Sequence, residues 1–312
     1  MRAAVGTTAA LGGAALLWGT LVERNRYRIR HEFVPVLEPG SRSVTVLHLS
    51  DLHLAPWQSG KRDWVRALAS LNPDLVVNTG DNLGHPDAIE ELAETLAPFA
   101  GIPGVFVHGS NDYFGPSVKN PFSYFRAPSH HRDTAVRLDT PRLERLLVDS
   151  LGWINLNNAA QPMSIAGSNF EFFGTDDAHR NFDKLEILPT LIDEIREEES
   201  WRSNSSSAVP IGVTHAPYQR VLNSFVTNGA ELIFAGHTHG GQVRIPGLPA
   251  LVTNCDIPRD KASGLSVWHH ERRAAYLNVS AGLGTSIYAP VRFACPPEAV
   301  LVTLTAGDFG YS

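Results

Sequence analysis

The chain has 312 residues, enough for one large α/β domain or two smaller ones, and 43 % of them are hydrophobic, ample for a sizeable core. With 26 basic against 32 acidic side chains its formal charge is -6, which argues against a general polyanion binder, so no nucleic-acid partner is expected. Only Cys255 and Cys295 occur, which argues against a disulfide framework or a cysteine-built zinc site and leaves two buried thiols, the favoured reading, or a single bridge between them.

Residues 3–22 carry no charge over about the length that crosses a bilayer, and Leu11, Leu16, Leu17, Trp18, Leu21 and Val22 make the second half apolar. Little precedes this run beyond Arg2, and no small-x-small cleavage site ends it, so it reads as an uncleaved single-pass anchor. Arg24, Arg26, Arg28 and Arg30 follow, an excess that leans the rest of the chain to the cytoplasmic face of the cell membrane. Residues 1–31 are thus expected to be an anchor with a basic juxtamembrane linker, and residues 40–312 the main domain, entered through Pro35, Pro39 and Gly40.

Residues 44–49 predict a strand that stops at Ser50 Asp51 Leu52 His53. Helical spacing over 64–71 leads to a continuous apolar strand at 75–77, ending in Thr79 Gly80 Asp81 Asn82. A helix over 87–96, acidic in its first turns, precedes a third strand at 104–107 that ends in Gly109 Ser110 Asn111 Asp112. Strands alternating with helices imply right-handed crossovers and a largely parallel sheet, with ligands bound beyond the carboxyl ends of its strands. All three polar clusters fall there.

Residues 115–140 are irregular and rich in proline, serine, aromatic and basic side chains, which suggests a cap or substrate-contact loop. A helix over 141–150, strands at 153–156 and 170–174 and a charged helix over 185–199 come next. The strand predicted at 209–213 ends at Thr214 His215 Ala216 Pro217, and that at 232–235 at Gly236 His237 Thr238 His239 Gly240 Gly241 Gln242. Strands at 276–279 and 300–304 suggest the second half of a sheet sandwich.

His237 and His239, two apart at a strand end, point the same way unless the glycines bend the backbone. The separate turns together offer Asp51, His53, Asp81, Asn111, His215, His237 and His239. Oxygen and nitrogen donors without a thiolate suit a pair of divalent ions such as Mn, Fe or Zn better than one structural zinc. One aspartate must then serve both ions, which at about 3.5–4 Å apart can clamp the oxygens of an in-line displacement.

The ordered set LSDLH, TGDN, GSND, VTHAP and GHTHGGQ resembles the calcineurin-like metallophosphoesterases, and within them bacterial phosphohydrolases with an N-terminal membrane span. The resemblance covers about residues 43–305. It implies a four-layer αββα sandwich with a dinuclear centre, in which Asp51, His53 and His239 bind one metal, Asn111, His215 and His237 the other, and Asp81 bridges them. A metal-bridging hydroxide would attack a phosphomonoester, phosphodiester or pyrophosphate, with a lipid-linked ester like UDP-diacylglucosamine among the candidate substrates. No obligate protein partner is implied.

The third motif departs from the family pattern of Gly Asn His followed by an acid. With Asn111 taken as the retained ligand, Asp112 stands where the histidine would protonate the leaving oxygen or stabilise the transition state. Asp112 could do so only with a raised pKa, and orienting His215 or His239 is its other reading. His108 is expected in the core, Thr238 to shape its turn, and Asn82 and Gln242 to touch substrate. The rival readings are a non-catalytic metal-binding scaffold of the same fold and a metal-dependent carboxyl-ester hydrolase.

Overall fold

The computed structural model describes residues 12–116, 135–198 and 207–307. Two six-stranded sheets stack face to face. The first runs β1 (Arg28–Leu37), β12 (Glu298–Ala306), β2 (Val44–Leu49), β3 (Leu75–Asn78), β4 (Gly104–Phe106), β5 (Ile154–Asn155). The second runs β10 (Gly264–His270), β11 (Arg273–Val279), β9 (Leu232–Ala235), β8 (Ala208–Val213), β7 (Ser168–Gly174), β6 (Ala159–Ile165). β2, β3, β4 and β5 are parallel, as are β7, β8, β9 and β11, while β12, β6 and β10 join by antiparallel pairing.

Period-two alternation splits each strand between two cores. Val46, Val77 and Val105 face Phe172, Ile211 and Phe234 between the sheets. On the outer side of the first sheet, Leu47, Val76 and Phe106 meet Val65 of α1 (Ser59–Ala67) and Leu92 and Leu96 of α2 (Ile89–Leu96). On the outer side of the second, Phe173, Ile233 and Leu277 meet Ile192 of α5 (Leu188–Glu197) and Val221 and Phe225 of α6 (Gln219–Thr227). Two shorter helices, α3 (Ser110–Tyr113) and α4 (Thr140–Arg145), follow β4. Helices outside two stacked mixed sheets give the expected α/β sandwich.

The N-terminal reading needs correction. The stretch expected to be a basic juxtamembrane linker leads into β1, an edge strand parallel to β12 in which Arg28 and Arg30 ion-pair with buried Glu298 at 2.7 and 3.1 Å. The folded domain therefore begins before residue 40. Its Pro35 sits on the outermost strand, where a missing N–H is tolerated. The uncharged run 3–22 lies partly outside the described residues; residues 12–17 are α-helical and Trp18–Val22 forms a π-helical turn. No helix among the described residues is long and apolar enough to cross a membrane. Most of the expected cap loop also lies outside the described residues, and both cysteines are buried and free, as expected.

Candidate metal centre

The candidate ligands follow the carboxyl ends of five strands: Asp51 and His53 after β2, Asp81 after β3, Asn111 after β4, His215 after β8, His237 and His239 after β9. Left-handed backbone recurs among them, with φ of 49° at Asp51, 40° at His53, 55° at Asp81, 68° at His237 and 48° at His239. Such conformations cost about 1–3 kcal/mol each and persist only where the surroundings over-determine them. Here Asp51 N donates to Gly80 O and His53 N to Asp81 O, both at 2.9 Å, and His237 N donates to Asp51 Oδ2 at 3.0 Å. The approach is close enough that a Cβ on Gly236 would fall 2.0 Å from Ser50 Oγ.

Because His237 and His239 lie beyond the strand in bent backbone, the two-residue period does not govern them, and they face opposite halves of one cluster. His239 Nε2 is 3.2 Å from His53 Nε2 and 3.6 Å from Asp51 Oδ1. His237 Nδ1 is 3.3 Å from His215 Nε2. Asp81 spans the halves, with Oδ2 3.4 Å from His53 Nε2 and Oδ1 3.6 Å from His215 Nε2.

The donor chemistry fits cations. The outer nitrogens of three rings meet backbone carbonyls: His215 Nδ1 with Thr79 O at 2.7 Å, His237 Nε2 with Asn254 O and His239 Nδ1 with Gly284 O at 3.2 Å. A neutral ring that donates outward presents a lone pair inward, the arrangement that orients metal-binding histidines. Asp51 Oδ2 accepts from Ser50 Oγ at 2.6 Å, whereas its buried Oδ1 has no hydrogen-bond partner. Asp51, His53 and His239 form one group of convergent donors, and Asp51, Asp81 and His215 another.

Electrostatics point the same way. Burial pushes the Asp51 carboxyl up. It also pushes Asp81 up, but His215, His53 and hydrogen bonds from Asn111 outweigh it and hold that carboxyl below its usual range. Burial disfavours charge on His215, yet Asp81, Asp51 and Asp177 pull its imidazole up to about 9. The carboxylates thus call for positive charge at the centre, which a divalent cation supplies while displacing the proton.

The sequence profile described as calcineurin-like phosphoesterase matches residues 44–241. The chain belongs to that family. Members are metal-dependent phosphoester hydrolases, and so is this chain. It is 29 % identical over 307 residues to YpbG of Bacillus subtilis, covering 97 % of this chain and 96 % of YpbG. It is 25 % identical over 316 residues to the metallophosphoesterase YkuE of the same organism, covering 96 % and 93 %. A Bos taurus transmembrane protein with a metallophosphoesterase domain is 27 % identical over 222 residues, 67 % of this chain and 44 % of that protein. Among solved structures, NAD nucleotidase of Haemophilus influenzae overlays with a TM-score of 0.46 at 10 % identity, covering 78 % of this chain and 51 % of the other.

In this calcineurin-like phosphoesterase the third motif reads one residue out of step with the expectation. Asp112 is fully buried, and its carboxylate accepts Asp81 N at 2.8 Å, Gly109 N at 2.9 Å and Asn82 N at 2.8 Å. Acting as a backbone clamp, it stands fourth in Gly109 Ser110 Asn111 Asp112, where the pattern of Gly Asn His and an acid has its acid. Position for position, Ser110 then replaces asparagine and Asn111 replaces histidine. Asn111 donates both N and Nδ2 to Asp81, each at 2.7 Å, so its amide nitrogen faces the shared carboxylate. Ser110 Oγ donates to Asp177.

Asn82 and Gln242, the two expected substrate contacts, each make a side-chain hydrogen bond within the protein, while Asn82 Nδ2 is buried with no hydrogen-bond partner. Asn82 is fully buried and accepts from Asn78 Nδ2 at 2.8 Å. Gln242 Nε2 donates to Ala289 O at 2.8 Å and secures a neighbouring loop. His108 is buried as expected; burial lowers it, but Asp112 and Glu144 outweigh that and pull it up to about 9. Thr238 Oγ1 accepts from Gly240 N at 3.2 Å and shapes the turn.

Sequence reading missed the turn after β7, where Thr175 Asp176 Asp177 Ala178 His179 Arg180 repeats the pattern of a strand ending in polar residues. The His179 ring lies 4.5 Å from that of His237. Burial pushes fully buried Asp177 up to about 6. Arg292 was missed too. Fully buried, its Nη2 donates to the carbonyls of Ala281, Gly282 and Gly284 at 2.8, 3.0 and 2.7 Å, and Gly284 O in turn meets His239.

Proposed function

We propose that Asp51, His53 and His239 hold one divalent ion and His215 and His237 a second, with Asp81 shared between them, for hydrolysis of a phosphoester. The observation that carries this reading is the divergence of the two Asp81 oxygens toward two groups of inward-facing imidazoles, beside a buried and unpartnered oxygen of Asp51. Two such ions supply Lewis acidity for the phosphoryl oxygens and lower the pKa of water. The chain's own contribution is rigidity. Asp112 fixes the turn of Asp81, while Thr79 Oγ1 donates to Ser50 Oγ at 2.6 Å and Ser50 in turn to Asp51. Asn111, in the histidine's position, pins both oxygens of Asp81. With no imidazole in the third motif, an ester whose leaving oxygen needs little protonation suits the site best.

Membrane tethering is part of this reading. It is supported by the uncharged run at 3–22, the exposed Leu16, Leu17 and Leu21, and the transmembrane character named for the bovine relative. Gly19 O accepts from Arg292 N at 3.1 Å, which joins the apolar segment to the loops behind His239. The test is turnover of bis(p-nitrophenyl) phosphate and p-nitrophenyl phosphate against p-nitrophenyl acetate, with manganese present. Phosphoester turnover alone is expected. Turnover of the acetate alone would replace this function with carboxyl-ester hydrolysis, and turnover of none would favour a scaffold. Sedimentation of the full chain with membranes tests the tether.

A further inference from the structure

We propose that Arg180 binds substrate, its guanidinium taking phosphoryl oxygens of the ester beside the metal centre. The inference rests on the phosphoester reading above.

Arg180 stands in the turn that also carries Asp177 and His179, and its guanidinium carbon lies 3.7 Å from the centroid of the Phe114 ring. Phe114 closes α3, three residues after Asn111, so this stacking holds a cation next to the third motif. The charge is within electrostatic reach of Asp177 and Asp81. Its Nε is buried without a hydrogen-bond partner.

The acids nearby are engaged by other donors. Asp177 accepts from Ser110 Oγ and from His179 N, the latter at 2.9 Å, and Asp176 Oδ1 accepts from Tyr113 Oη at 2.8 Å. Other arginines near this sheet are paired, Arg220 with Asp183 and Arg196 with Glu171 at 2.8 Å. Among the described residues Arg180 has no such carboxylate. A planar guanidinium has donors spaced for phosphoryl oxygens, and a half-buried one left unpaired beside a phosphoesterase centre is arranged for an anion that arrives with the substrate.

The experiment compares the full chain with Arg180→Ala and Arg180→Lys. It measures bound manganese, calorimetric binding of inorganic phosphate, and KM and kcat for p-nitrophenyl phosphate. Arg180→Ala should keep its metal, weaken phosphate binding about tenfold or more and raise KM similarly, equivalent to one lost charged hydrogen bond. Arg180→Lys, which keeps charge but loses the fork, should fall between. Unchanged phosphate affinity and KM would overturn the proposal, as would loss of metal, which would make Arg180 a support for the ligands. Phosphate binding without turnover in the unaltered chain would sink the hydrolytic reading while still reporting on Arg180. Absence of both would overturn the two together.

Discussion

Replacing Asp112 with asparagine separates a backbone clamp from a proton donor. The carboxylate takes three N–H groups, two on Oδ2 and one on Oδ1, and is fully buried. An asparagine whose oxygen takes the Oδ2 position keeps Asp81 N and Gly109 N but turns its own NH2 against Asn82 N. The two bonds retained pass from a charged to a neutral acceptor, losing about 1 kcal/mol each, and the orphaned donor costs about 1–3 kcal/mol. Destabilisation of about 3–5 kcal/mol follows, lowering Tm by roughly 5–8 °C for a domain of this size. Asp81 should then lose its left-handed turn and bound metal should weaken. Thermal unfolding followed by circular dichroism measures the first effect, elemental analysis the second. A variant that melts within about 2 °C of the unaltered chain and keeps its metal, yet has lost turnover, would refute the clamp and restore the proton donor.

Three further outcomes are expected. Burial, aided by Arg30, lowers the His48 pKa from 6.5 to about 3. The unfolded chain therefore takes up the extra proton between these values, and the stability due to neutral His48 is complete above pH 6.5 and drains as pH falls toward 3. His48→Gln should flatten that slope by roughly 3–5 kcal/mol across the interval, measured by urea unfolding at several pH values; an unchanged slope would contradict it. Arg292→Lys should lose about 2–4 kcal/mol in urea unfolding, because one ammonium cannot replace a guanidinium bonded to three carbonyls; unaltered stability would mean these bonds carry nothing. Asp81→Ala should lose bound metal along with nearly all turnover, and retention of full metal stoichiometry would exclude a shared carboxylate.

What the sequence revealed followed from how each stretch is buried. Val77 and Phe234 lie in continuous apolar runs because their strands are covered on both faces, so the central strands of both sheets could be read along with the polar clusters at their ends, whereas β6 and β10, at the two edges of the second sheet, were not read. β1 could not, since an edge strand bearing Arg28 and Arg30 looks like a basic linker until Glu298, 270 and 268 residues away, is found beneath it. The HxH pair was placed correctly at a strand end, but the side on which each ring falls depends on left-handed backbone at His237 and His239, which no periodicity encodes. The clamp made by Asp112 could not be read, because its partners are main-chain amides, Gly109 N in its own turn and Asp81 N and Asn82 N in a distant one, which side-chain pattern does not show. The turn of Asp177 and Arg180 was within reach, because it follows β7 as the other clusters follow their strands.

The proposed hydrolysis depends on two cations held around one carboxylate. Equilibrium dialysis of the full chain and of His237→Ala against manganese, with metal counted per chain, tests this most directly. The account predicts about two ions for the unaltered chain and about one for the variant, because His237 and His239 serve different halves of the cluster. A single ion or none in the unaltered chain, or two retained in the variant, would contradict it.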